Sequence, residues 1–183
     1  SEVAYDESGY SAATKGNATR ARTWLDTSSL WLETRTKYDS YGNVIETTDP
    51  KGNVTTTQYS ATYSYAYPTS VTTPVPDPSG TNGSNAAFTS STVYDLTTGL
   101  PTSSTDANGQ TTYMEYNDVL LRPTRVVPPS GGAITDTSIL MKIDYDYGTS
   151  TTNNGSLKEQ AIALSGYSGT IVQSYTYGNL NRI

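Results

Sequence analysis

The stretch from Tyr38 to Tyr59, YDSYGNVIETTDPKGNVTTTQY, decides the fold. It opens on Tyr38-Asp39, turns at Gly42-Asn43, runs through Val44-Ile45, turns again at Asp49-Pro50-Lys51-Gly52 and closes on a Val- and Thr-rich strand ending at Tyr59. The second turn has the chemistry of a tight reversal. The Asp carboxylate accepts from the backbone two residues on, Pro fixes φ at the next position, and Gly permits a positive φ at the exit. A degenerate copy runs from Tyr94 to Tyr116, YDLTTGLPTSSTDANGQTTYMEY. In it Asp106 stands for Asp49, Gly109 for Gly52 and Tyr116 for Tyr59, while the turn after Tyr94-Asp95 is one residue longer. Asp106-Ala107-Asn108-Gly109 keeps Asn-Gly, so both copies read as hairpin reversals. A recurring strand-turn-strand unit is the signature of a repeat architecture, in which one unit cannot cover its own apolar face and its neighbours must.

The pattern Tyr-Asp, Gly-Asn, Asp-Pro-x-Gly, Thr-rich strand, Tyr resembles the YD repeat of RHS proteins. These are secreted or surface-exposed chains similar to the shells of teneurins and of insecticidal toxin complexes. The resemblance is carried by Tyr38, Asp39, Gly42, Asn43, Asp49, Pro50, Gly52 and Tyr59, and again by Tyr94, Asp95, Asp106, Gly109 and Tyr116. It returns at Tyr175-Thr176-Tyr177 through Asn181-Arg182-Ile183, and residues 60 to 90 and 130 to 165 diverge from it. It implies an all-β fold of consecutive antiparallel β-hairpins forming an extended, twisted or spiralling sheet. One domain is expected over residues 1 to 183, with repeat-like units near 17–59, 94–127 and 139–183 and a mobile loop at 74–85. By resemblance, such sheets spiral into a hollow shell that encloses a toxic or otherwise reactive C-terminal segment. The motif is a signature of fold, not of catalysis.

The composition agrees with a sheet. The chain has 183 residues, enough to bury a real core, yet only 34% are hydrophobic, with one Phe and 16 Tyr. Ser and Thr are abundant, and Thr and Tyr suit a pleated, half-buried surface. Tyr is expected to supply the apolar mass of the sheet with its hydroxyl reaching water. The net charge of −6, from 11 basic and 17 acidic residues without a basic stripe, argues against nucleic acid and anionic membranes as partners. No run approaches the roughly 20 apolar residues of a membrane helix. The sequence begins at Ser1 without Met and stops at Ile183 inside what resembles another repeat, so a processed or excerpted piece is expected.

Outward from the central stretch, Asn17 to Tyr38 reads as a hairpin. With Asp26 to Ser29 as a four-residue connection, counting sets Leu25 opposite Leu30, Trp24 opposite Trp31, Arg22 opposite Glu33 and Arg20 opposite Arg35. Residues 3 to 7 read as a short strand, and SYAYPTSVTT as one in which Pro68 marks an edge or a start. Further strands are expected near Phe88 to Asp95, Leu100 to Thr105, Gln110 to Tyr116, Arg122 to Val127 and Ile139 to Tyr147. The last places Ile139, Met141, Ile143 and Tyr145 on one buried face. Leu157 to Leu164 is the one segment whose spacing also allows a helix.

Catalytic chemistry finds little purchase. The absence of His removes His-based triads, His metal ligands and the side chain that titrates near neutrality. The absence of Cys removes disulfides, thiolate nucleophiles and thiolate metal sites. Asp144-Tyr145-Asp146-Tyr147-Gly148 is the nearest approach to a calcium loop, but the twelfth position, which an EF-hand fills with an acid, is Gly155. Some RHS chains end in a core that resembles an aspartyl self-cleaving site, with a second Asp-Pro pair at a set distance after the first; Asp49-Pro50 lacks that partner, and Asp77-Pro78 falls too late. The expectation is therefore no catalytic residue, no metal and no cofactor. Four triplets satisfy the N-glycosylation pattern, at Asn17, Asn53, Asn82 and Asn154.

Three functions follow as expectations. The first is a non-enzymatic structural module of a secreted or cell-surface, bacterial RHS-type protein, partnered by other repeats of its own chain. The second is a protomer of an extracellular, glycosylated filament in which strand edges of successive copies pair. The third is an adhesin-like module whose loop at 74–85 binds a glycan or receptor.

Overall fold

The computed structural model describes residues 1–12, 14–129, 141–149, 152 and 155–177. Turn residues recur so often that each strand folds back on the one before it. The strands are β1 (Glu2–Tyr5), β2 (Ala18–Leu25), β3 (Leu30–Tyr38), β4 (Val44–Thr48), β5 (Val54–Tyr59), β6 (Pro68–Thr72) and β7 (Thr89–Tyr94). After them come β8 (Pro101–Thr105), β9 (Thr111–Glu115), β10 (Arg125–Val127), β11 (Met141–Asp146), β12 (Glu159–Leu164) and β13 (Thr170–Ser174). All thirteen belong to one antiparallel sheet whose order is the order of the chain, and the order does not close: β1 and β13 have one neighbour each. The chain divides into two units, Ser1–Thr92 and Val93–Ile183.

In the first unit the β2–β3 register is the one obtained by counting: Leu25 pairs with Leu30, Trp24 with Trp31, Arg22 with Glu33 and Arg20 with Arg35. A short 3-10 turn, Asp26–Ser28, makes the connection, and Ser29 leaves it at φ 49°. The indoles meet edge to face at 5.4 Å. Farther along, Lys37, Glu46, Thr56, Thr72 and Thr89 form one row across five strands. Thr hydroxyls bridge neighbouring strands directly, Thr72 to Thr89 at 2.8 Å. This is the physical use of the Thr-rich composition: a β-branched side chain fits the pleat, and its hydroxyl finds a cross-strand partner.

In the second unit the register separates two faces. Met114, Val126, Ile143, Ile162 and Ile171 stand in one apolar row across β9 to β13. The neighbouring row, Glu115, Arg125, Asp144, Ala161 and Val172, lies on the other face because successive residues of a strand point opposite ways. β12 corrects the helical option for Leu157 to Leu164. Flanked on both sides by strands, it pairs with β11 over Glu159–Leu164 and with β13 over Glu159 to Ala163, so its backbone groups are answered across the sheet and not along a helix. β10 is shorter than expected, starting at Arg125, because Asp118–Arg122 forms a turn of its own. Pro68 is the first residue of β6, as its missing N–H requires.

The sequence allowed a real core, and among the described residues the sheet does not build one. Among the described residues Val127 is the buried hydrophobic and Thr19 the buried polar residue. Trp24, Leu30, Leu32, Ile171 and Val172 all keep more than a third of their surface in water.

Candidate functional site

The chemistry of the central motif is a clasp made by its Asp. At Asp49 the Oδ1 oxygen accepts from the backbone N–H of Lys51 at 2.8 Å and of Asn53 at 2.9 Å, while Oδ2 accepts from the Asn53 side-chain amide at 2.8 Å. The Asp49 N–H returns to the Asn53 carbonyl at 2.9 Å, and the Gly52 N–H closes on the Asp49 carbonyl at 2.9 Å. Asp39 repeats every part of this with Tyr41, Gly42 and Asn43. Asp106 repeats the backbone part with Asn108, Gly109 and Gln110. One carboxylate thus ties both ends of a four-residue reversal, and the Gly at its exit takes the positive φ, 85° at Gly52 and 76° at Gly109. In the longer turn of the second copy, Asp95 is clasped by Thr97 and Thr98 instead, and its N–H reaches Leu100.

Three further clasps lie outside the repeat motif, and of their carboxylates only Asp77 was named from the sequence. Asp6 accepts from the backbone of Gly16 at 2.8 Å and Asn17 at 2.9 Å, and its N–H returns to the Asn17 carbonyl. Tyr5-Asp6 and Gly16-Asn17 are therefore another Tyr-Asp and Gly-Asn pair, which a longer insertion conceals. Asp77 organises the loop at 74–85, accepting from Ser79 and from the Asn82 N–H. Asp118 receives a two-pronged Arg122 guanidinium at 2.8 and 2.9 Å, and that guanidinium also lies 3.8 Å over the Tyr147 ring.

These contacts favour the ionised form of Asp6, Asp39, Asp49, Asp77, Asp95 and Asp118. The Gly16 N–H leads in lowering Asp6, the Asn53 side chain in lowering Asp49, and the Thr98 N–H in lowering Asp95. At Asp39 burial pushes upward, and the Asn43, Tyr41 and Gly42 contacts together more than offset it. Ser79 leads in bringing Asp77 down to about 2. Arg122 holds Asp118 well below the usual carboxylate range.

The motif Tyr residues mark strand ends. Tyr5, Tyr38 and Tyr59 each sit where the pairing register shifts by a bulge. Tyr38 donates its hydroxyl to the Ala18 carbonyl at 3.0 Å. Tyr94 ends β7, and Tyr116 donates to the Met114 sulfur at 3.5 Å, its burial raising the phenol's pKa.

Charged residues are arranged in alternating ladders. Glu2, Arg22 and Glu33 stand in register across β1 to β3, and Glu115, Arg125 and Asp144 across β9 to β11. The like-charged Arg20 and Arg35 face one another, but Glu33 reaches both, at 3.8 and 2.6 Å. Asp144 is taken up by Arg125 and Lys142, and Asp146 accepts from the Gly148 N–H, so the suggested calcium loop directs its acids elsewhere. Among the described residues no group of three or more acidic, His or Cys side chains gathers as a metal site. A shallow depression brings Asp95 and Glu115 together with Thr98, Thr102 and Tyr116. Both carboxylates there are engaged, Asp95 by Thr98 and Glu115 by Arg125.

Of the glycosylation triplets, Asn17 donates its amide to Ser11 and the Thr19 of its triplet is buried. Asn53 donates to Asp49, and Asn82 is exposed in the loop. Asn154 lies outside the described residues, as do Ile139 and Asn181-Arg182-Ile183.

No protein-family profile matches the chain, and no curated protein matches its sequence. Solved structures do resemble it. The TcdB2–TccC3 complex aligns over 90% of this chain with a TM-score of 0.60 and 15% identity. The same complex without its hypervariable C-terminal region aligns over 92%, with a TM-score of 0.62 and 15% identity. The Tc holotoxin pore of Photorhabdus luminescens aligns over 91%, with a TM-score of 0.59 and 17% identity. In each case the chain spans 8% of the matched chain's length. At this identity the likeness is one of fold: a β-sheet of the kind found in Tc toxin components.

Proposed function

We propose that the chain is a non-enzymatic structural module, a run of aspartate-clasped hairpins contributed to a larger secreted or cell-surface assembly of the bacterial RHS type. One observation carries this reading: a thirteen-stranded sheet that buries a single hydrophobic side chain among its described residues. A sheet gains its stability by covering a face, and this one leaves apolar side chains of both faces in water. Its covering comes from further repeats or from an enclosed chain. The clasps support the same reading, since the carboxylates of Asp6, Asp39, Asp49, Asp77, Asp95, Asp106 and Asp118 are committed to backbone groups, hydroxyls, amides or a guanidinium.

Electron microscopy of the protein purified from its native source tests the proposal. The expected result is a hollow, β-rich particle in which this sheet is one stretch of the wall. A free-standing monomer of 183 residues that turns over a substrate overturns it.

A further inference from the structure

Two Asn-Gly bonds lie among the described residues, Asn82-Gly83 in the loop at 74–85 and Asn108-Gly109 in the β8–β9 reversal, and all four residues are exposed. An Asn-Gly bond is open to an internal reaction. The backbone nitrogen of the Gly can bond to the side-chain carbon Cγ of the Asn, because no Cβ on the Gly stands in the way. The fold around the bond decides whether it does. The nitrogen must give up its proton and swing onto Cγ, so hydrogen bonds that hold the N–H or fix the turn oppose the reaction.

At Asn108-Gly109 the restraint is continuous with the sheet. The Gly109 N–H donates to the Asp106 carbonyl at 3.0 Å, and the Asp106 carboxylate accepts from the N–H groups of Asn108 at 2.8 Å and Gln110 at 2.9 Å. The Asp106 N–H returns to the Gln110 carbonyl at 2.9 Å, and beside it Thr105 and Thr111 pair across the strands with their hydroxyls 2.8 Å apart. Turning this peptide requires β8 and β9 to part. At Asn82-Gly83 the restraint rests on Asp77. Its Oδ2 accepts from the Asn82 N–H at 2.6 Å, and the Gly83 N–H is directed at the same carboxylate. The Asp77 N–H bonds to the Ser84 carbonyl at 3.0 Å, while the nearest strand pairing begins only at Thr72 and Thr89. This peptide turns once Asp77 lets go.

We propose that Asn82 is a site of spontaneous covalent modification, deamidating through a succinimide formed with Gly83, and that Asp77 sets its rate while the hairpin keeps Asn108 intact. The Gly83 nitrogen passes its proton to water or hydroxide and bonds to the Asn82 Cγ. The Cγ–Nδ2 bond then breaks, and Nδ2 takes up a proton and leaves as ammonia. Water adds to either carbonyl of the ring. Opening on one side leaves an aspartate at position 82, and opening on the other leaves an isoaspartate whose backbone runs through the former side chain. The net change is one water consumed and one ammonia released, with no oxidation. Either product sets a second carboxylate beside Asp77, so like charges share the anchor of the loop and loosen it. It also removes the amide of the Asn82-Gly83-Ser84 triplet, and with it the acceptor for an N-linked glycan. The inference is local to the loop and does not rest on the structural-module reading.

Peptide mapping by mass spectrometry of the 183-residue chain, aged at mildly alkaline pH, tests it. The wild type is expected to accumulate aspartate and isoaspartate at position 82 faster than at position 108. Asp77→Ala removes a charged hydrogen-bond acceptor, so the rate at Asn82 is expected to rise about tenfold with that at Asn108 unchanged. Gly83→Ala is expected to suppress the conversion and keep the far-ultraviolet circular dichroism spectrum. Gly83 lies outside the left-handed φ range, and a Cβ there would meet the Asp77 Cβ at an ordinary 3.4 Å. An aged wild type with Asn82 intact, conversion at Asn108 as fast as at Asn82, an Asp77→Ala variant that is no faster, or aspartate formed without isoaspartate would each overturn the proposal.

Discussion

Asp49 and Asn53 hold one another three times: by carboxylate to backbone N–H at 2.9 Å, by carboxylate to side-chain amide at 2.8 Å, and by the Asp49 N–H to the Asn53 carbonyl at 2.9 Å. Replacing Asn53 by Asp turns the donating amide into a second carboxylate beside the first. Asn53→Asp is therefore expected to lower the urea midpoint of unfolding more than Asn53→Ala, which only removes the donor. Equal effects of the two variants would show that the side-chain contact is idle.

Gly52 and Gly109 sit at φ 85° and 76°, and a Cβ at either would meet nothing within 4 Å. The cost of Ala there is purely one of backbone conformation, about 1–2 kcal/mol at each site. Because the two clasps share no residue, the double variant is expected to lose the sum of the single losses to within about 0.5 kcal/mol. Equilibrium denaturation of the three variants measures this.

The clasps predict an acid transition. Asp6, Asp39, Asp49, Asp77, Asp95 and Asp118 all titrate below the ordinary value of 3.8 in the folded chain, Asp77 at about 2. A carboxylate depressed by folding stabilises the folded state fully above its unfolded pKa, and the contribution is lost as pH falls through the folded one. The β-sheet circular dichroism signal is expected to hold from neutrality to about pH 4 and to fall between about pH 4 and 2. With no His in the chain, a transition centred near neutrality would contradict the assignment.

Glu33 is the mediator between two arginines that face each other across β2 and β3. Glu33→Gln leaves Arg20 and Arg35 opposed and is expected to cost up to about 1 kcal/mol, the range of a partly exposed pair. The loss should shrink in high salt, which screens the repulsion. Urea titrations at two ionic strengths give both numbers.

Local chemistry was legible in the sequence and long-range cover was not. The Trp24–Trp31 register followed from counting across a four-residue connection, because a period of two leaves no freedom once the turn is placed. The Asp49 and Asp106 reversals followed from the turn residues themselves. Asp6 was missed because its Gly16-Asn17 partner lies beyond an insertion, although Tyr5-Asp6 was the signal that would have found it. Leu157 to Leu164 remained open between helix and strand because periodicity over eight residues cannot register that β11 and β13 flank it. The missing core was invisible for a related reason: apolar and polar residues alternate as in any half-covered sheet, and the sequence does not say whether anything lies against the apolar side.

The central claim is that the hairpins at Asp39, Asp49 and Asp106 are each held by their own Asp, so that stability is local along the sheet. Native-state hydrogen exchange of the wild-type chain and of Asp49→Ala tests it directly. In the variant, protection is expected to fall at Val44–Thr48 and Val54–Tyr59 and to be kept at Thr111–Glu115 and Glu159–Leu164. Equal loss of protection in all four strands, the mark of a single cooperative core, would contradict the account.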